Sequence, residues 1–229
     1  MESGLAIAYQ QADLMHLPIR YDRERVQQLF YDMSRKLYSG YKNLGHNLNF
    51  IDMFTVHGQG GSSRLQLLPD RFRIIEHNSG LHLDDFKSRF EVVMASAANV
   101  FGVSRFPVQN VKLRTVAQPT LWDNGVQFLA TKICGLDEDD LAGFGRRPAA
   151  FQMQFTFVAT PEDENAFTLK IESYSQPERN VVLDVEGAFP GSISTDDIAR
   201  GAANIQKTHD FVSARTMDFL NRFDRQPEP

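Results

Sequence analysis

Six histidines are the side chains of this chain that ordinarily titrate near neutrality, so acid–base or metal chemistry would start with them. His57 directly precedes Gly58-Gln59-Gly60-Gly61 and could serve as a ligand or general base. No carboxylate or second histidine stands at a ligand-like spacing from it, and ending a strand accounts for it as well. His77 and His82 flank Asn78-Ser79-Gly80-Leu81, where exposure on a turn explains both. His209 is different, because it falls on the apolar stripe of the last predicted helix. A residue there needs a buried hydrogen-bond partner or a cavity to face, and a satisfied core histidine is the plainer of the two. Asp210 is its neighbour in sequence but lies about 100° around a helix from it.

The other chemical templates fail on spacing. Asp137-Glu138-Asp139-Asp140 lacks the alternating ligands and the turn glycine of a calcium loop, and reads as a helix start favoured by the helix dipole. Gly58-Gln59-Gly60-Gly61 joins strand to strand without a following Lys-Ser/Thr and helix, so it is no phosphate loop. Cys134 is the lone cysteine, which excludes an intrachain disulfide and a cysteine zinc site; in a predicted helix it reads as a small buried hydrophobe. No serine sits in a nucleophile elbow. No metal or cofactor site is therefore expected. The basic residues remain: Arg20, Arg23 and Arg25, then Arg64, Arg71 and Arg73, with Arg146 and Arg147 in a later loop. Arg71 and Arg73 alternate with Phe72 and Ile74, which puts them on the open side of a sheet. There they would hold an anionic ligand or acidic partner, or pair across strands with Asp52 or Glu76.

Those residues need a frame, and composition bounds it. A chain of 229 residues, 42% hydrophobic and 23% charged, buries a core without staples. Eighteen Phe against one Trp imply aromatic packing between sheet and helices. The net charge of -5 gives no field to attract nucleic acid or anionic lipid. Met1 to Asp13 carries no basic segment followed by a long apolar run, and no stretch suits a membrane span, so a soluble cytoplasmic protein is expected.

Periodicity then supplies the elements. Leu5, Ile7 and Tyr9 alternate as a strand; Asp22 opens a helix carrying Val26, Leu29, Phe30, Met33 and Leu37 and ending near Gly40. From Leu48 the period is two, with Phe50, Phe54 and Val56 on one face, Leu65 and Leu67 on the return strand, and Phe72 with Ile74 on a third. A helix follows, with Phe86, Phe90, Val93, Ala97 and Phe101 as its stripe and Gly102 as its stop. The second half repeats the order. Val111, Leu113 and Thr115 form a strand, Thr120 to Asp123 reads as a capping box, and Val126, Leu129 and Ile133 mark a helix. Strands carrying Phe151 to Phe157, Phe167 to Ile171 and Val181 to Val185 follow. The longest helix has Ile198, Ala202, Ile205, His209, Val212, Thr216, Phe219 and Phe223 at four-three spacing. The expected fold is α+β: two β-α-β-β-β-α repeats, residues 4–102 and 107–224, forming one joined, mostly antiparallel sheet with long helices on one face, saddle-like or helix-grip-like, in one continuous structural domain.

Phe128-Leu129, the Phe-rich segment 151–157, Val181 to Glu186, His209-Asp210-Phe211 and Phe219-Leu220 together resemble a sporadically distributed prokaryotic family of unknown function. The likeness is one of diffuse apolar pattern in the C-terminal half, the N-terminal half departs from that family's opening, and the resemblance implies no activity. The element order also resembles the TATA-binding-protein-like saddle, an analogy of fold alone. The expectation is a non-catalytic binding or accessory protein, homodimeric, taking a protein partner or small ligand on the open sheet face or in a sheet–helix pocket. Arg64, Arg71, Arg73, His57 and His209 are the candidate contacts. Two other classes stay open: nucleic-acid binding through a basic sheet face, and an enzyme centred on a histidine.

Overall fold

Successive side chains of a strand point to opposite faces, and β1 (Ala6–Met15) displays this plainly. Ala12 and Leu14 are fully buried on one face, while Tyr9, Gln11, Asp13 and Met15 share the other. The computed structural model describes residues 6–36, 40–174 and 179–225; Leu5 and Leu37, assigned above to a strand and a helix, lie outside that range. The elements after β1 are α1 (Arg23–Lys36), β2 (Asn43–His46), β3 (Ile51–Val56), β4 (Ser62–Leu68), β5 (Arg71–His77) and α2 (Leu83–Phe101). The second half has β6 (Arg105–Ala117), α3 (Gly125–Gln127) running into a π-helical turn (Phe128–Ile133), and α4 (Glu138–Ala142). It continues with β7 (Ala150–Phe157), β8 (Ala166–Tyr174) and β9 (Val181–Ser194). A long C-terminal helix closes the chain as α5 (Ile198–Asp210), a π-helical segment (Phe211–Thr216) and α6 (Met217–Phe223).

The nine strands among the described residues join one antiparallel sheet in the order β2-β3-β4-β5-β1-β6-β9-β8-β7. Outward from the central β1·β6 pair, the sequence of strands is β5, β4, β3 on one side and β9, β8, β7 on the other. The halves differ in detail. The first carries an additional short edge strand, β2, so its meander has four strands where three were expected. One apolar cluster lies on a single face of the sheet, uniting Leu14, Leu65, Phe72, Val111, Leu113, Leu183 and Val185 with Leu29 of α1, Phe90 of α2, Phe128 and Ile205. This is the α+β architecture expected from the sequence, an open sheet with its helices packed on the apolar side.

Three local expectations change. In β3 the inward face is Met53 and Thr55, whereas Val56 is 62% exposed. Register decides this, because Met53 stands opposite Leu65, whose side chain is in the core. The cap of α3 is Asn124, which accepts a hydrogen bond from the Gln127 amide; Thr120 instead donates to Asp224 beyond α6. Cys134 is exposed at the end of the π-helical turn, where the helix stops at Gly135, and is not a core residue. By contrast, the acidic run opens α4 through a reciprocal Asp137–Asp140 capping box, as a helix start should.

Close approach of the long helices depends on one residue. A Cβ at Gly201 of α5 would lie 2.7 Å from the Phe90 ring of α2, and Phe90 is fully buried. The buried stripe of α5 therefore runs Gly201, Ala202, Ile205, Thr208, and His209 is only half-buried.

Candidate functional site

Where the C-terminal helix passes over β7 and β8, the two layers do not close. Phe155 and Phe157 point from β7, Leu169 from β8, and Phe211, Arg215, Thr216, Phe219 and Arg222 from the helix, around a cavity of about 370 Å³. That is within the range of small-molecule sites. The strand residues alternate with outward-facing Gln154 and Thr156, so their placement follows from the β period. Phe211, Arg215, Phe219 and Arg222 recur at four, four and three positions, one side of a helix, with Thr216 next to Arg215. The π-helical segment lies within this stretch, and the Thr216 hydroxyl donates to the Phe211 carbonyl 3.1 Å away. Such wide turns often accompany functional sites.

Aromatic contacts fix the walls. Phe211 stacks on Phe167 at 4.6 Å with planes 10° apart and meets the edge of Phe157 at 5.1 Å. Phe219 meets Phe155 at 6.0 Å. Such pairs contribute about 0.5–1.5 kcal/mol each beyond burial and hold the rings in place. At the rim, Arg215 and Arg222 are exposed and have no ion-pair partner among the described residues. Among the described residues no Asp or Glu lines the cavity.

The arginines singled out from the sequence are arranged differently. On the open face Asp13 receives both hydrogen bonds of a bidentate pair with Arg73 at 2.8 Å, and Arg71 approaches it to 3.6 Å while forking onto Asp70. Arg64 bonds Asp52 at 2.6 Å and lies over the Phe54 ring. Burial pushes the Asp52 carboxyl above its ordinary value, and Arg64 pulls it back. The pattern continues on the second half, where Arg114 and Lys112 converge on Asp184 and Lys170 on Glu172. The carboxylates Asp13, Asp52, Asp184 and Glu172 are buried against the sheet under these cations. Each candidate arginine thus already holds a carboxylate that an incoming anion would have to displace.

His57 belongs to a buried network that the sequence reading did not assemble. Its Nε2 is 2.7 Å from Ser63 Oγ; Ser63 donates to Glu76 Oε2 at 2.6 Å; and Arg89 of α2 donates to Glu76 Oε1 at 2.5 Å and to Ser63 at 3.0 Å. Serine, histidine and glutamate are all present, but the order is wrong for a nucleophile. Ser63 is 1% exposed, its proton is directed at Glu76, and its lone pairs face Arg89 and His57. Tyr41 is buried beside this cluster with its hydroxyl unpaired among the described residues, and burial, reinforced by Glu76, pushes its ionisation above the ordinary range. His209 sits 3.7 Å from Asp210, beyond hydrogen-bond reach. Among the described residues no three His, Cys, Asp or Glu side chains are grouped to hold a metal.

The cavity brings together Phe155, Phe157 and Phe219, which the sequence marked only as apolar, with Arg215 and Arg222, which it did not mark. The available signal was two arginines seven apart on the face that carries Phe211 and Phe219. No protein-family model and no curated protein matches the chain. No helix among the described residues is long and apolar enough to cross a membrane.

Proposed function

We propose that this is a non-catalytic binding protein that holds a small molecule in the cavity between β7, β8 and the C-terminal helix. One observation carries the reading: the cavity walls are aromatic and aliphatic, and none of its lining residues is a free nucleophile, general acid or general base. Thr216, its single hydroxyl, is engaged with the Phe211 carbonyl. The groups with catalytic potential, His57, His209 and Cys134, lie outside it. Native mass spectrometry of the protein purified from its own cells tests the proposal. A bound small mass in wild type that is absent from Phe219→Trp, which adds bulk to the cavity, is the expected result. The reading is refuted by a ligand-free protein whose melting temperature also fails to respond to a broad library of small organic molecules.

A second copy of the chain is the protein partner that the sheet edge favours. β7 ends the sheet and its eight residues, Ala150 to Phe157, include no charge, although charges and short strands are what usually block edge pairing. A two-fold centred on Gln154 would set Phe151 against Phe157 and Met153 against Phe155 on one face. Gln154→Lys would place like charges on the axis, and sedimentation velocity should report wild-type dimers and variant monomers. Monomeric wild type would remove this reading. We also read the two halves as copies of one module, on the strength of their matching strand order about β1 and β6. Superposing residues 6–101 on 105–223 tests that, and strands without counterparts beyond β2 would count against it. A cytoplasmic location fits the unpaired Cys134, and cell fractionation checks it.

A further inference from the structure

Resting on that cavity reading, we infer that the ligand is an organic monoanion with a flat apolar body, its head group held by Arg215 and Arg222. The body is specified by the walls. Phe155 and Phe219 meet edge to face with planes 71° apart, as do Phe157 and Phe211 at 69°, and Leu169 adds an aliphatic wall. Rings so arranged offer faces and edges to a planar guest, and the Phe167 stack fixes Phe211 from outside.

The head group is specified by a contrast within the same molecule. On the open face Arg64, Arg71, Arg73 and Arg114 each hold a carboxylate, but the two guanidiniums at this cavity hold none among the described residues. Arg215 also lines the adjoining hollow beside Phe167, where Asp163, Asp210 and Lys207 stand, but it forms no ion pair there among the described residues. The ligand cavity itself has two cations and no acid, in a chain whose net charge is -5. A neutral guest covering these guanidiniums would strip water from them without giving a partner in return. A carboxylate supplies that partner, since a guanidinium fork matches its two oxygens. With two cations and a mostly apolar wall, the site fits one anionic group on a hydrophobic body rather than a polyanion.

Calorimetry with naphthalene-2-carboxylate and its neutral counterpart naphthalene-2-carboxamide tests the inference on the full chain. Wild type should bind the acid tighter by about tenfold, about 1.4 kcal/mol. In Arg215→Gln/Arg222→Gln the two probes should bind alike, at the affinity of the amide. Arg105→Gln/Arg146→Gln removes the same charge elsewhere on the surface and should keep the preference. Added salt should weaken the acid only. Equal binding of acid and amide to wild type overturns the anion assignment while leaving the cavity reading intact. Binding of neither probe, with no change in the wild-type methyl NMR spectrum, overturns both. A preference for the acid that survives in Arg215→Gln/Arg222→Gln places the anion elsewhere and also overturns the inference.

Discussion

Replacing Arg89 by methionine removes the cation from the buried network but keeps an apolar stem of similar length. The side chains of Arg89 and Glu76 are 9% and 1% exposed and their closest atoms are 2.5 Å apart. Without the guanidinium, Glu76 is left as a carboxylate away from water, and breaking a buried pair in this way costs about 3–5 kcal/mol. Ser63 still donates to Glu76 Oε2 at 2.6 Å, and a retained bond to a charged group offsets part of that. The expected loss for Arg89→Met is therefore about 3 kcal/mol, the lower end of that range. At this chain length it corresponds to a melting temperature lower by roughly 6–12 °C. Glu76→Gln should destabilise by a similar amount, since it strands the guanidinium. The double variant strands neither charge, so its loss should fall short of the sum by about 2–3 kcal/mol. Urea unfolding followed by circular dichroism, with the denaturant slope held common to all four proteins, measures the cycle. A single-variant loss under about 1 kcal/mol, or simple additivity, would refute the claim that these charges depend on one another.

Gly201→Ala should destabilise by about 1–3 kcal/mol through overpacking, although the same change in an open helix interior stabilises; the urea midpoint reports the sign. His16 is buried against Phe72 at 4.5 Å between ring centres, and burial holds its imidazole below the ordinary value of 6.5. The unfolded chain then takes the proton first, so the stability from neutral His16 is complete above about pH 6.5 and declines as the pH falls below it. His16→Asn should flatten that decline in unfolding midpoints compared near pH 7.5 and 5.5, and an unchanged slope would count against it. Asp13→Ala should release Arg73 from its bidentate carboxylate while Arg71 stays forked on Asp70, lower stability by about 1–3 kcal/mol, and delay elution from heparin. Elution at the wild-type salt concentration would mean that Arg73 was never held by Asp13.

Much of the architecture was legible locally. The stripe Phe86, Phe90, Val93, Ala97 announces α2, and Gly102, with φ at +69°, stops it in the left-handed conformation that glycine adopts most readily. The alternation from Phe151 to Phe157 announces β7 in the same way. Faces were less legible than elements. Phe54 and Val56 look more apolar than Thr55, yet Thr55 is inward, accepting from the Lys42 amide and donating to the Gly40 carbonyl. His209 fits a four-three stripe on paper, but in α5 Thr208, seven positions from Gly201 and on the same side of the helix, takes the buried position.

Element type and the inward or outward alternation of neighbours were determined by the sequence alone, because both arise from backbone sterics and side-chain spacing within a few residues. Only the tertiary structure decided that Arg73 meets Asp13, sixty positions away, that Arg89 meets Glu76, and that Arg215 and Arg222 stand over an aromatic cavity without an ion-pair partner among the described residues. Those outcomes depend on strand register and helix rotation. Both are set by the joint packing of distant segments, and no local period encodes them.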